Sequence, residues 1–140
     1  MTNFLPHRPM RARRGTSMAE FALILIPCLT LFFATMNFAL AFYCYDFVGY
    51  SAQQAVRYAM VHGSTASQVA TTSSIQTYVQ GMVAGVMDTT LVTVTTTWSP
   101  NNKPGSVVTV TVGYTFKPLT ALVSKVNIAL SQTAAMVISQ

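Results

Sequence analysis

From Phe21 to Tyr45 the chain carries no Asp, Glu, Lys, Arg or His, and most of the run is apolar. About 20 such residues, at ~1.5 Å each, cross a ~30 Å hydrocarbon core. The run therefore predicts a membrane-spanning helix over about 21–45, with Phe42, Tyr43 and Tyr45 as an aromatic belt at its far end. Beyond Asp46, Val48, Ala52, Ala55, Val56, Ala59 and Met60 recur at helical spacing. One long helix over 16–62 follows, stopped by Gly63. After "STAS", Ser67 is a candidate N-cap for a second helix reaching about Met87, with Val69, Ile75, Val79, Met82, Val83 and Val86 on roughly one side.

The period then shifts to two. Val92, Val94, Thr96 and Trp98 share one face of a strand, and Val108, Val110, Val112, Tyr114 and Phe116 share one face of another. "SPNNKPG" between them is turn chemistry, so the pair reads as an antiparallel hairpin. "KPLTALVSKV" reads as a loop with a short helix starting near Pro118. "NIALSQTAAMVIS" alternates through Ile128, Leu130 and Gln132 before Met136 and Ile138, a third strand. The expected fold is α+β: a long N-terminal transmembrane helix continuing into a small extracytoplasmic domain, 63–140, with a second helix and a three-stranded antiparallel sheet. About 78 residues after His62 are few for an independent core, so the domain needs support from the long helix or from neighbouring subunits.

Charge changes the picture at one end only. The 140-residue chain has a formal net charge of +5, but Arg8, Arg11, Arg13 and Arg14 supply half of its eight basic residues. Without residues 1–15, four basic residues face three acids, a net of +1. A folded domain that is nearly neutral lacks the basic face that nucleic acid requires. Arginines immediately before a spanning segment read instead as positive-inside, placing the N-terminus in the cytoplasm and residues 46–140 outside it. Pro6, Pro9 and the basic residues predict an extended or disordered segment over 1–15.

Candidate chemistry is sparse. No carboxylate pair, nucleophile with a base, phosphate loop or metal-ligand spacing is recognisable, so the chain reads as non-enzymatic and without cofactor or metal. His62 reads as a solvent-exposed residue at a helix C-terminus, and Asp46 and Asp88 as boundary residues. The threonines at 89–97 and 109–115 form either a solvated sheet face or a surface for a sugar or a partner strand. Cys28 and Cys44, 16 residues apart, would be roughly 24 Å apart on a straight helix, beyond disulfide reach. They read as small buried hydrophobes, with intermolecular pairing through Cys44 as the alternative. Pro27 removes one helical hydrogen bond; its role is either local or to let the helix bend on leaving the membrane.

Glu20 is the anomaly, an acid at the edge of the apolar run. It either sits at headgroup depth beside the arginines or has a function, as charged residues in membranes usually do. Its surroundings, "RRGTSMAEFALILIP", resemble the processing signal of type IV pilin precursors and, more specifically, the TadE-like minor pseudopilins of the tight-adherence (Flp) pilus system. "QQAVRYAMVHGS" and "VTVGYTFKPLT" are similar to later segments of that family, so the resemblance covers roughly 11–64 and 105–120. Met18 and Ala19 depart from its commoner small-then-valine pair.

The resemblance implies cleavage by a prepilin peptidase after Gly15, within a site that includes Thr16, Glu20 and Phe21 and a basic leader carrying Arg11, Arg13 and Arg14. Thr16 would become the new N-terminus, and its ammonium group would need a partner inside an apolar helix bundle. Glu20 of a neighbouring subunit is the candidate partner. The implied setting is the bacterial inner membrane, with the domain in the periplasm. The implied partners are the peptidase, other Tad pilins and pseudopilins, the assembly platform and lipid, with pilus assembly and adhesion as the function. The competing expectation is an uncleaved, membrane-tethered periplasmic adaptor or binding module that enters no filament.

Overall fold

The computed structural model describes residues 13–119 and 127–139. Its elements are two helices, α1 (Arg13–Val61) and α2 (Thr72–Val83), a short 3-10 turn (Thr89–Leu91), and three strands, β1 (Val92–Ser99), β2 (Val107–Phe116) and β3 (Ile128–Val137). The expected α+β architecture is the observed one. The chain forms two compact units, Met1–Met36 and Asn37–Gln140, so α1 contributes to both.

In the first unit α1 is helical from Arg13, although residues 1–15 were expected to be extended or disordered. Arg13, Arg14 and Gly15 continue the helix because nothing there breaks it, the leader's two prolines lying further back at 6 and 9. Every residue from Ser17 to Met36 is exposed. Both threonines of this stretch are satisfied from within: Thr30 Oγ1 donates to the Ile26 carbonyl at 2.8 Å, and Thr35 Oγ1 reaches the Leu31 and Phe32 carbonyls at 2.9 Å. Such back-bonding lets threonine lie on an apolar helix without an unpaired hydroxyl. Among the described residues, one helix is long and apolar enough to cross a membrane, which fits a single-pass membrane protein.

The second unit is two-layered. Its sheet has the order β1-β2-β3, antiparallel throughout, with Val94 opposite Val112 and Val112 opposite Gln132 fixing the register. One face is covered by the C-terminal half of α1 and by α2. Cys44, Val48, Ala52, Ala55, Val56 and Ala59 of α1 and Ile75, Val79 and Val83 of α2 form one core with Val92, Val108, Val110, Val112 and Phe116. The α1 stripe is mostly small, which suits close approach to the flat inner face of a sheet. Ser51 lies fully buried in it, its hydroxyl donating to the Phe47 carbonyl at 2.8 Å.

Several expected boundaries shift. Helix α2 starts at Thr72, not after Ser67: Thr71 is the N-cap, with Ser74 N–H donating to Thr71 Oγ1 at 3.2 Å and Thr71 N–H to Ser74 Oγ at 2.9 Å. Ser67 has Ala70 three residues on, which cannot return a bond. The helix ends at Val83, not near Met87, because Ala84 (φ −58°, ψ 130°) and Gly85 (φ 85°) make a type II turn closed by Val86 N–H to Val83 O at 3.1 Å. Val69 and Val86, expected on the buried side, are therefore outside the helix and exposed.

Helix α1 ends at Val61, as its pattern suggests, but Gly63 is not a left-handed cap; the positive-φ glycines are Gly85 and Gly105 among the described residues. The chain is drawn away instead by Ser64 N–H to the Asn102 carbonyl and Ala70 N–H to the His62 carbonyl. His62 is half-buried, not exposed. Its Nδ1 lies 2.8 Å from the Tyr58 carbonyl oxygen, and its ring stacks on Tyr58 with centroids 4.2 Å apart. Tyr58 in turn stacks on Tyr78 of α2 at 4.7 Å. Pro118 and Leu119 are not helical, and the rest of the short helix expected near Pro118 falls at 120–126, outside the described residues.

Candidate functional site

The residues singled out for processing lie along one helix. Gly15, Thr16, Glu20, Phe21 and Pro27 are all within α1, and α1 runs through Pro27 unbroken; Arg11 lies outside the described residues. Thr16 and Glu20 are four residues apart along the helix, a rise of about 6 Å. Glu20 and Phe21 are exposed. The exposed Glu20 carboxylate lies one turn beyond Thr16 on that helix.

The sheet's outer face is a second candidate surface. Thr93, Thr95 and Thr97 of β1 are exposed, and the register sets Thr95, Thr111 and Thr133 in one row across all three strands. Thr111 Oγ1 and Thr133 Oγ1 share a hydrogen bond at 2.8 Å. Gly113 stands opposite Thr93, whose Oγ1 occupies the space a side chain would take. This face is flat, polar and uncharged.

The cysteines divide. Cys44 is buried in the domain core, consistent with a small hydrophobe, whereas Cys28 is exposed on the N-terminal stretch of α1. Asp88 caps the 3-10 turn, its Oδ1 accepting from Thr90 N–H at 3.0 Å and from Thr90 Oγ1 at 2.7 Å. These bonds hold its carboxyl below the usual range, with Lys117 adding to the effect. Burial pushes the Tyr114 hydroxyl above its ordinary range. Among the described residues no group of three or more His, Cys, Asp or Glu comes together as a metal site.

One interaction had no sequence signal beyond a lone amide in an apolar run. Asn37 Oδ1 accepts the Leu119 main-chain N–H at 3.0 Å, tying the chain beyond β2 to a helix residue 82 positions earlier.

No curated protein and no solved structure matches the chain. A family model does: the one described as TadE-like protein matches residues 15–57, beginning at Gly15 and running through most of α1. The resemblance read from the sequence and the matched model thus name the same family, which links the chain to the Tad pilus in general terms. The long helix from Gly15 to Arg57 is a TadE-like segment.

Proposed function

We propose that this chain is a minor pseudopilin of a Tad/Flp-type pilus, made as a precursor, cut by a prepilin peptidase after Gly15, and contributing to pilus assembly and surface adhesion. The observation that carries the reading is the family match itself, because it opens at Gly15, the residue before the cut. The role is structural, not catalytic. The leader stays in the cytoplasm, the domain occupies the periplasm, and the partners are other Tad pilins, the inner-membrane platform and lipid.

Cleavage changes what Glu20 does. In the precursor it is the eighth residue of a helix that begins at Arg13, beyond the reach of that helix's N-terminal N–H groups. In a chain starting at Thr16 it is the fifth residue, close to newly unpaired N–H groups and a new ammonium. A carboxylate is favourable near such an end. In a helix bundle, where each charge alone would be costly, Glu20 pairs with the amine of a neighbouring subunit and sets their axial register.

The experiment is mass spectrometry of protein purified from cells with and without the peptidase, alongside Glu20→Gln. An N-terminus at Thr16 only when the peptidase is present supports the reading. An intact 1–15 segment in both cells overturns it and leaves the tethered adaptor. Glu20→Gln should be cut normally yet fail to co-purify with partner pilins; normal co-assembly would remove the pairing.

A further inference from the structure

The Leu119–Asn37 hydrogen bond constrains where the bilayer can be. Asn37 is half-buried, Leu40 and Ala41 pack against the domain core, and Cys44 is inside it, so one side of α1 from Asn37 onwards is occupied by protein. The other side is exposed and aromatic: Phe38 is 73% accessible, and Phe42, Tyr43 and Tyr45 are exposed as well. Leu119 itself is 74% accessible, an apolar side chain held in the open by its own main-chain bond.

A span over 21–45 would place Asn37 about 12 Å inside its far edge, since eight residues rise roughly that much. The irregular backbone at 117–119 would then lie in hydrocarbon beside lipid, where unpaired peptide groups are not tolerated. Ser17–Met36 avoids the conflict. All 20 of its residues are exposed, and at ~1.5 Å each they cover a ~30 Å core, with Glu20 within one turn of the N-terminal end, at headgroup depth.

We propose that the membrane boundary lies at Asn37 and that Lys117–Leu119 is a lipid-docking loop. Leu119 enters the boundary between headgroups and acyl chains on the Asn37 side of α1. Lys117, exposed two residues earlier, stands at headgroup level, where lipid phosphate is within its reach. The domain is thereby held against the bilayer by its helix and by this loop. The occupant is lipid because Asn37, to which Leu119 is bonded, directly follows the exposed apolar stretch Ser17–Met36, which is long enough to span a bilayer. The proposal rests on the single-pass anchor of the proposed function, and its test separates the two.

The full chain is reconstituted in vesicles of phosphatidylethanolamine and phosphatidylglycerol, with Trp98→Phe to remove the native tryptophan. Single tryptophans are then placed by Leu119→Trp, Lys117→Trp, Phe32→Trp and Lys103→Trp. Lipids brominated near the headgroup end of the acyl chain should quench Leu119→Trp strongly and shift its emission to the blue. Lipids brominated near the chain end should quench Phe32→Trp more. Lys103→Trp, in the loop at the opposite end of β1 and β2, should not respond. Lys117→Trp reports the same loop if Leu119→Trp does not fold. Quenching of Phe32→Trp without quenching at 117 or 119 overturns the docking loop and leaves the anchor. Shielding of Leu119→Trp from acrylamide without bromine quenching means a second protein covers it, which also overturns the proposal. Failure at Phe32 as well removes the anchor and the loop together.

Discussion

Replacing Thr96 with valine should stabilise the domain. Thr96 is on the inner face of β1, 9% accessible, between Val94 and Trp98 on that face, and no group among the described residues bonds its Oγ1. A buried hydroxyl without a partner costs about 1–3 kcal/mol in lost hydration. Thr96→Val removes that cost, keeps the shape and the β-branched preference for a strand, and adds one buried methyl worth up to ~0.8 kcal/mol. Small shifts needed to seat the slightly larger methyl group subtract from this, so a net gain of about 1–2 kcal/mol is expected. The assay is urea unfolding of the full chain in a mild nonionic detergent, followed by circular dichroism, with the transition slope compared between variants. The usual outcome of a core substitution is a loss of stability. A loss of about 1 kcal/mol or more at Thr96→Val would refute the reasoning, because it would mean the hydroxyl has a partner worth keeping. Trp98 is a neighbour on the same face with the same defect, an unpartnered buried Nε1, so the pair Thr96→Val and Trp98→Phe should be non-additive.

Thr71→Ala should cost about 1 kcal/mol by removing the side-chain arm of the α2 cap, Ser74 N–H to Thr71 Oγ1, while the Thr71 main-chain N–H keeps its bond to Ser74 Oγ; Thr71→Asn should retain most of the cap, measured by the same unfolding curves. Asp88 predicts a pH effect of definite sign. Its carboxyl is held below the usual range by Thr90, so its contribution is present above the ordinary carboxylate pKa of about 4 and is lost as pH falls through the lower folded value. Unfolding midpoints in acid should fall more steeply for the wild type than for Asp88→Asn; identical pH profiles would count against the Thr90 bonds.

Most of the fold was legible because its patterns are long. The two-residue alternation of β1 and β2 and the Ala/Val stripe of α1 name the faces that the structure buries, and Gln132 lies on the inner face where the alternation puts it. Helix ends were less legible. Ser67 and Thr71 both look like caps, and only Ser74 three residues beyond Thr71 decides between them. The hardest boundary was the one inside α1. Lipid and a protein core both select apolar side chains, so Phe21 to Tyr45 reads as one stretch although Leu40, Ala41 and Cys44 pack with the domain. The lone Asn37 marks the change, but its partner is the main chain of Leu119, and a main-chain donor has no signature in sequence. His62 was misplaced for a similar reason: its stack on Tyr58 is local, but Tyr78, which extends the stack, comes from α2.

The shared use of α1 also sets the smallest piece of this protein that can be handled in water. A fragment starting after Gly63 would leave Val108, Val110 and Val112 without Val48, Ala52, Ala55, Val56 and Ala59. None of the three strands contains a charged residue, so nothing in the uncovered sheet would keep two copies apart. Such a fragment is a candidate for aggregation, and added salt would not prevent it. A cut near Asn37 keeps the sheet's own cover and discards only residues 1–36. The membrane anchor and the folding scaffold are successive lengths of one helix, and only the first can be spared.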